Sequence, residues 1–190
     1  AAAREVAKFF GKLKGEKDKA PAQIEQLAFI SPTEREKAME LARRALKGDK
    51  LDPKKDTPLL RVDKAVDIAM FGRMLADSPE FNREAAVQVA HDFTTHKAVV
   101  ESDFYTAMDD NKPREEDVGA GFIGATGFGS GVYYSYVCIN AELLVKNLDG
   151  DADLAERAVR AFCQAFVTTT PSGKINSFAN HGRPDYVRIE

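Results

Sequence analysis

The sequence is poor in the residues that build catalytic and metal centres, and it has no excess of positive charge. Its 190 residues include only two cysteines and three histidines. Cys138 and Cys163 each sit inside an apolar run, so they read as small core side chains of a reducing compartment and not as a disulfide or metal pair. That reading places the chain in the cytoplasm. His91 and His96 are separated by a spacing that does not put two imidazoles on one helical face, and no cysteine or carboxylate cluster completes a coordination set. His91 reads as half-buried and His96 as a residue at the negative end of a helix. No metal or other cofactor is expected.

Two further absences bound the answer. No apolar run approaches the ~18 residues needed to cross a bilayer, so a membrane partner is not expected. The opening residues AAAREVAKFF lack a basic leader, an apolar core and a cleavage site, and they read as the interior of a helix in a longer protein. The net charge is −3, and it is uneven: residues 1–60 carry 14 Lys and Arg against 10 Asp and Glu, whereas residues 61–190 carry 13 against 20. A strongly basic domain is the usual footprint of a nucleic-acid binder. The composition lacks that footprint, so any affinity for phosphate must come from local patches.

What is present is a clear succession of elements. Ser31, Pro32 and Glu34 form a capping box ahead of an apolar stripe of Ala38, Leu41, Ala42 and Ala45, and Gly48 supplies a stop, which predicts a helix over 32–47. A second helix is expected over Arg4–Leu13, with Val6, Phe9, Phe10 and Leu13 on one face. Charged, proline-punctuated loops surround both, so residues 1 to about 60 read as a helical lobe. The spacing of Ala86, Val89, Ala90 and Phe93 predicts a helix from Asn82 to about His96. Val99–Met108 and Val132–Asn140 read as strands. Helices follow over 142–147 and 153–168, the latter with Leu154, Ala155, Ala158, Val159, Phe162 and Phe166 on one face and Pro171 beyond it. A last strand is expected over 185–189. The order fits an α+β domain with helices on one face of an antiparallel sheet.

Several constellations bear on function. Gly119, Gly121 and Gly124 match the spacing of a dinucleotide-binding turn, but the preceding NKPREEDV is no strand and the following ATGFGSG breaks a helix, so that reading is rejected. The glycines suit a hairpin arm that bends sharply, and Phe122, Ile123 and Phe128 among them need a buried contact. Asp109 and Asp110 could serve metal-assisted phosphodiester cleavage, yet such a site needs several converging carboxylates, and a pair at a strand end is more often a solvated turn. Ser172, Gly173, Lys174, Asn176 and Ser177 combine free backbone amides, one charge and short donors, a mix that binds phosphate without reading bases, and that also suits an ordinary polar loop. Phe71, Gly72, Arg73 and Met74 taken alone would pack into a core.

Five segments occur in a fixed order: VDIAMFGRM (66–74), VAHDFTTH (89–96), DFYTAMDD (103–110), GAGFIGATGFGSG (119–131) and TPSGKINSFAN (170–180). Together they resemble the CasC-type backbone subunit of Cascade, the type I-E CRISPR surveillance complex, in which VDIALxGRM, AHAxTTH, DxFTAVDD and a strand ending near YxYxxIN recur in this order. The resemblance covers roughly Leu59 to Asp185. It implies a modified ferredoxin-like, RNA-recognition-motif palm, incomplete here, over residues 61–190, with a helical fingers lobe over 1–60 and a glycine-rich thumb hairpin at about 103–131. It implies a non-enzymatic role: gripping the phosphates of CRISPR RNA without sequence preference, through Gly72, Arg73, Met74, Ser172, Gly173, Lys174, Asn176 and Ser177. Met74 would separate stacked bases and Arg73 would approach phosphate. The implied partners are CRISPR RNA, copies of the chain itself in a head-to-tail filament, other Cascade subunits and, through the guide, target DNA. The thumb residues Gly119, Gly121, Phe122, Ile123, Gly124 and Phe128 would carry the interface. Two alternatives stand beside this: a ribonuclease using a thumb aspartate, as in type III backbone subunits, and a protein-interaction module without RNA.

Overall fold

A computed structural model describes residues 2–15, 22–53, 55–107 and 122–190. The chain divides into two compact units, Ala1–Gln88 with Cys138–Glu190, and Val89–Val137.

In the first unit, helix α2 (Pro32–Leu46) begins as its sequence dictates. The Ser31 hydroxyl accepts from the Glu34 amide at 3.1 Å, the Glu34 carboxylate accepts from the Ser31 amide at 2.9 Å, and Gly48 follows the helix with φ +95°. The inward stripe holds Glu34, Ala38, Leu41, Ala42 and Ala45, and α1 (Ala2–Ala7) packs on the same helix. Helix α1 is shorter than expected: after Ala7 the chain turns, and Leu13 pairs antiparallel with Ile24. That pairing satisfies the backbone of residues 12–14 outside a helix, through Lys14 N–H to Gln23 O and Glu25 N–H to Lys12 O, both 2.8 Å.

Helix α3 (Val66–Phe71) ends at Gly72, and a 3₁₀ turn (Pro79–Phe81) leads back so that Arg73 and Arg83 pair antiparallel, each amide donating to the other's carbonyl at 3.0 Å. The helix expected over 82–96 is therefore absent. In its place stand strands β1 (Val87–Val89) and β2 (Phe93–Thr94). Backbone pairing outcompetes the apparent helical spacing, because the carbonyls of Arg73 and Arg83 and of Ala86, which accepts from Asn140 N–H at 2.8 Å, are committed to other segments. Beyond strand β6 (Val137–Ile139), helices α4 (Ala141–Asn147) and α5 (Ala152–Thr168) pack in sequence against α3, with caps from Asn140 and Asp151. Ile68, Ala69, Met70, Leu75, Ala86, Leu144 and Leu148, all at most 3% exposed, form the core. The strand expected at 185–189 does not form: Tyr186 and Ile189 are each 77% exposed, and a lone extended segment has no ladder to satisfy its amides.

β1 and β6, which pair with each other, lie mostly in the first unit. The second unit is an interrupted antiparallel ribbon in which β2 pairs with β5 (Tyr133–Tyr134) and β3 (Val100–Ala107) with β4 (Phe122–Gly129). The strand expected over 132–140 is thus split into β5 and β6, and the register shifts between the β2–β5 ladder, with Phe93 opposite Tyr134, and the β3–β4 ladder, with Val100 opposite Gly129. Cys138, expected in the core, is exposed, since β6 has only one strand beside it. Tyr105 lies across Gly124: a Cβ there would stand 2.8 Å from the Tyr105 ring, so the glycine leaves room for the aromatic cover that its own strand lacks.

The first unit is organised around two buried arginines. The Arg73 guanidinium donates to Glu34 Oε2 at 2.6 Å and Oε1 at 2.8 Å, and to the carbonyls of Phe29, Leu60 and Phe81 at 3.3, 2.9 and 3.0 Å. Those contacts engage every N–H a guanidinium owns. Glu34 also accepts from the Leu60 amide at 2.7 Å. The ion pair crosses the 60/61 boundary expected between lobes. Arg83, whose pKa burial pulls down, donates to the carbonyls of Arg61 (2.6 Å), Asn147 (2.9 Å) and Asp63 (3.3 Å), with the Asp63 carboxylate at 3.8 Å. Asn147 in turn donates to Ala69 O and Glu84 O, both at 2.9 Å.

Removing either member of the Glu34–Arg73 pair strands a buried charge, so Arg73→Met or Glu34→Leu is expected to cost about 3–5 kcal/mol in urea unfolding. The double variant remains destabilised, because five main-chain groups lose their partners along with the charges. Burial alone would raise the Glu34 carboxyl, but Arg73 and the Ser31 and Leu60 amides outweigh it and hold the pKa below the ordinary value. A depressed carboxyl contributes stability above the unfolded pKa and loses it as pH falls, so acid unfolding steepens below about pH 4.3. Glu34→Gln is expected to flatten that limb. Gly72 has φ +73°, and an added Cβ would stand 2.7 Å from Arg83 O and 2.9 Å from the Ala85 amide. Gly72→Ala is therefore expected to cost well over the ~1 kcal/mol of an ordinary glycine substitution, read by the same denaturation.

Candidate nucleic-acid interface

The turn after α3 divides its residues by direction. The left-handed backbone at Gly72 sends the chain into the bridge with Arg83, which points the Arg73 side chain inward to 2% exposure. Its neighbour Met74 is 76% exposed. The guanidinium expected at a phosphate is thus held by protein acceptors, and what the turn presents outward is the thioether. Such a side chain is long, unbranched and polarisable, suited to lying against flat apolar groups. Close by in the chain, Phe71 is 52% exposed and meets Phe162 edge-on at 5.9 Å, and Phe162 stacks on Phe166 at 5.9 Å. The helical spacing of Phe162 and Phe166 was readable in the sequence, but their junction with Phe71 was not.

Ser172, Gly173, Lys174, Asn176 and Ser177 lie together on the exposed loop after α5. Lys174 takes a left-handed conformation (φ 59°) and caps the four-residue helix α6 (Ile175–Phe178), and Ala179 closes it, also left-handed (φ 47°). The loop is therefore a compact polar turn with one exposed ammonium. No hydrogen bond among the described residues joins it to the Gly72–Met74 turn, although both belong to the first unit.

On the ribbon, alternation sorts side chains onto two faces. Val100, Ser102, Phe104 and Thr106 share one face with Gly129, Gly127, Ala125 and Ile123, a surface without charge in which Val100, Phe104 and Ile123 are 72%, 67% and 59% exposed. The opposite face holds Glu101, Asp103 and Tyr105 with Phe128, Thr126 and Gly124. Phe122 opens β4 opposite Ala107. Gly119, Gly121, Asp109 and Asp110 lie outside the described residues. Phe93 and Tyr134 add a cross-strand aromatic pair at 5.3 Å. His96 does not end a helix: its Nε2 accepts from the Val132 amide at 3.0 Å, a contact that no sequence period announces. Among the described residues no three His, Cys, Asp or Glu side chains converge as a metal site would require, and no helix is long and apolar enough to cross a membrane.

Comparison with known proteins gives this geometry a family. Two similar solved structures are a chain of a "CRISPR RNA-guided surveillance complex, pre-nicking", at 35% identity and TM-score 0.78 over 97% of this chain, and a chain of a "CRISPR RNA-guided surveillance complex", at 47% identity and TM-score 0.55 over 63%. This chain spans 54% and 45% of the lengths of those two chains. No curated protein matches it. The family of the CT1975-like protein matches residues 1–190 without a gap at either end. With that family matching along the sequence, and the fold shared with chains of CRISPR RNA-guided surveillance complexes, the chain belongs to the CT1975-like family of CRISPR-associated proteins.

Proposed function

We propose that this chain is the guide-RNA-gripping part of a type I-E Cascade backbone subunit. It would hold CRISPR RNA by its phosphates, repeat head to tail along the guide beside the other subunits, and leave sequence reading to base pairing with target DNA. The observation that carries the reading is the similarity of nearly the whole fold, at 35% identity, to a chain of an RNA-guided surveillance complex. In this reading residues 1–60 are fingers and residues 61–190 a ferredoxin-like palm, the ribbon is the thumb, and the setting is cytoplasmic.

The geometry supports a division of labour. Met74, pushed outward by its buried neighbour, serves as the wedge between bases, where an apolar side chain can enter a stack. Lys174, with the amides and short donors of Ser172, Gly173, Asn176 and Ser177, serves as the phosphate contact. Gly72 and Arg73 act by positioning Met74. The uncharged face of the ribbon can approach a phosphate backbone, whereas the face bearing Glu101 and Asp103 is repelled by it and suits a neighbouring protein surface. Nothing in this division requires bond breaking. A thumb aspartate acting as a ribonuclease would require divalent metal and would be silenced by Asp109→Ala or Asp110→Ala.

Fluorescence anisotropy of a labelled CRISPR-repeat RNA, titrated at two salt concentrations, tests the assignment. Lys174→Ala is expected to weaken binding and to reduce the dependence of log affinity on log salt by about 1, the signature of one lost phosphate contact. Met74→Ala is expected to weaken binding by up to about 1–3 kcal/mol, the range of a lost base-stacking contact, while leaving the salt slope unchanged. Wild-type affinity in both variants would remove these residues from the interface. Metal-dependent cleavage of the RNA would replace the scaffold reading with the ribonuclease one.

A further inference from the structure

We infer that His96 is a pH-sensitive clasp across the bend of the ribbon, closed while its imidazole is neutral. The bend lies where the β2–β5 ladder gives way to the β3–β4 ladder; among the described residues no strand pairing spans it, and the His96 ring does. His96 Nε2 accepts a hydrogen bond from the Val132 amide at 3.0 Å, while Nδ1 lies 3.0 Å from the Lys97 carbonyl. A carbonyl can only accept, so Nδ1 must carry the proton, which leaves Nε2 with the lone pair that Val132 requires. The two partners therefore fix a single neutral tautomer.

The surroundings are shaped for this ring. A Cβ on Gly131 would stand 3.0 Å from Thr94 Cγ2, 3.1 Å from His96 Cε1 and 3.2 Å from Nε2, so a side chain at 131 would crowd both neighbours and shift the ring. On the other strand the Thr94 hydroxyl donates to the His96 carbonyl at 3.1 Å and holds the backbone of the residue that carries the ring. Of the groups facing the ring from β2, β5 and the following segment, namely Thr94, Gly131, Val132 and Lys97, only Lys97 is ionisable, and its contact with the ring is through the main-chain carbonyl.

Protonation inverts the contact. An imidazolium donates at both nitrogens, so Nε2–H would face Val132 N–H, two donors with no acceptor between them. Imidazoles change charge between about pH 8 and 5. The clasp is therefore closed at the upper end of that range, and as pH falls the Val132 amide is released and the turn between the two ladders loosens. This device does not depend on the RNA-binding reading.

The test is NMR on the isotope-labelled full chain. At about pH 8, where an imidazole is neutral, the ¹⁵N shifts of His96 should report the Nδ1–H tautomer. Exchange of the Val132 amide, normalised to its intrinsic rate at each pH, should speed about five- to tenfold between about pH 8 and 5.5, the worth of one hydrogen bond. In His96→Ala that amide should be unprotected at both pH values. In Gly131→Ala, which retains the histidine but crowds its ring, the pH step should shrink. An Nε2–H tautomer at the higher pH, or Val132 protection that is the same at both pH values, would overturn the inference.

Discussion

A carboxylate and a guanidinium buried together, Glu34 and Arg73, set the terms for the larger unit. Taking both from water is costly, and the arrangement persists because every hydrogen-bonding site is used: four donors converge on Glu34 and five acceptors surround Arg73. Most of those partners are main-chain groups of segments far apart in sequence. The pair therefore acts as a junction that ties the start of α2 to the chain at Phe29, Leu60 and Phe81. Arg83, Asp63 and Asn147 form a second such junction beside it. Among the described residues, Oδ2 of Asp63 is buried without a hydrogen-bond partner, while Oδ1 accepts from the Ala65 amide at 3.1 Å and lies 3.8 Å from the Arg83 guanidinium.

This junction also decides what the surface offers. Because Arg73 must reach inward and Gly72 must turn with positive φ to let it, the next residue is directed out, and Met74 becomes one of the most exposed apolar side chains of the molecule. A motif that reads as a single functional string is thus split between a buried structural half and a presented half. Affinity for nucleic acid, in the function proposed, rests on a few exposed groups and not on bulk charge, which agrees with a chain whose net charge is −3.

The ribbon obeys a different constraint. A two-stranded sheet has no interior, and isolated hairpins are marginal in water. Its stability must come from cross-strand contacts such as Phe93 with Tyr134 and Tyr105 over Gly124, and its large exposed apolar side chains remain available for contact with another surface. The charge asymmetry between its faces is a direct product of two-residue periodicity: Glu101 and Asp103 fall on one side, Val100 and Phe104 on the other.

By itself the sequence determined whatever depends on neighbours along the chain. The capping box of α2, the helices around Asn140 and Asp151 and the β character of Val100–Ala107 were all legible, since caps, helical stripes and strand alternation involve partners within a few residues. The family was legible too, from five ordered motifs. The tertiary structure decided where long-range pairing overrides local period. Residues 82–96 have helical spacing yet form strands, because their backbone groups bond to Arg73, Tyr136 and Asn140. Arg73, which the resemblance places near phosphate, is buried against Glu34, a partner 39 positions away that looks, in sequence, like an ordinary capping residue. The closing strand expected over 185–189 fails for the same reason in reverse: a strand exists only where another backbone lies beside it, and that is a property of the fold and not of the segment.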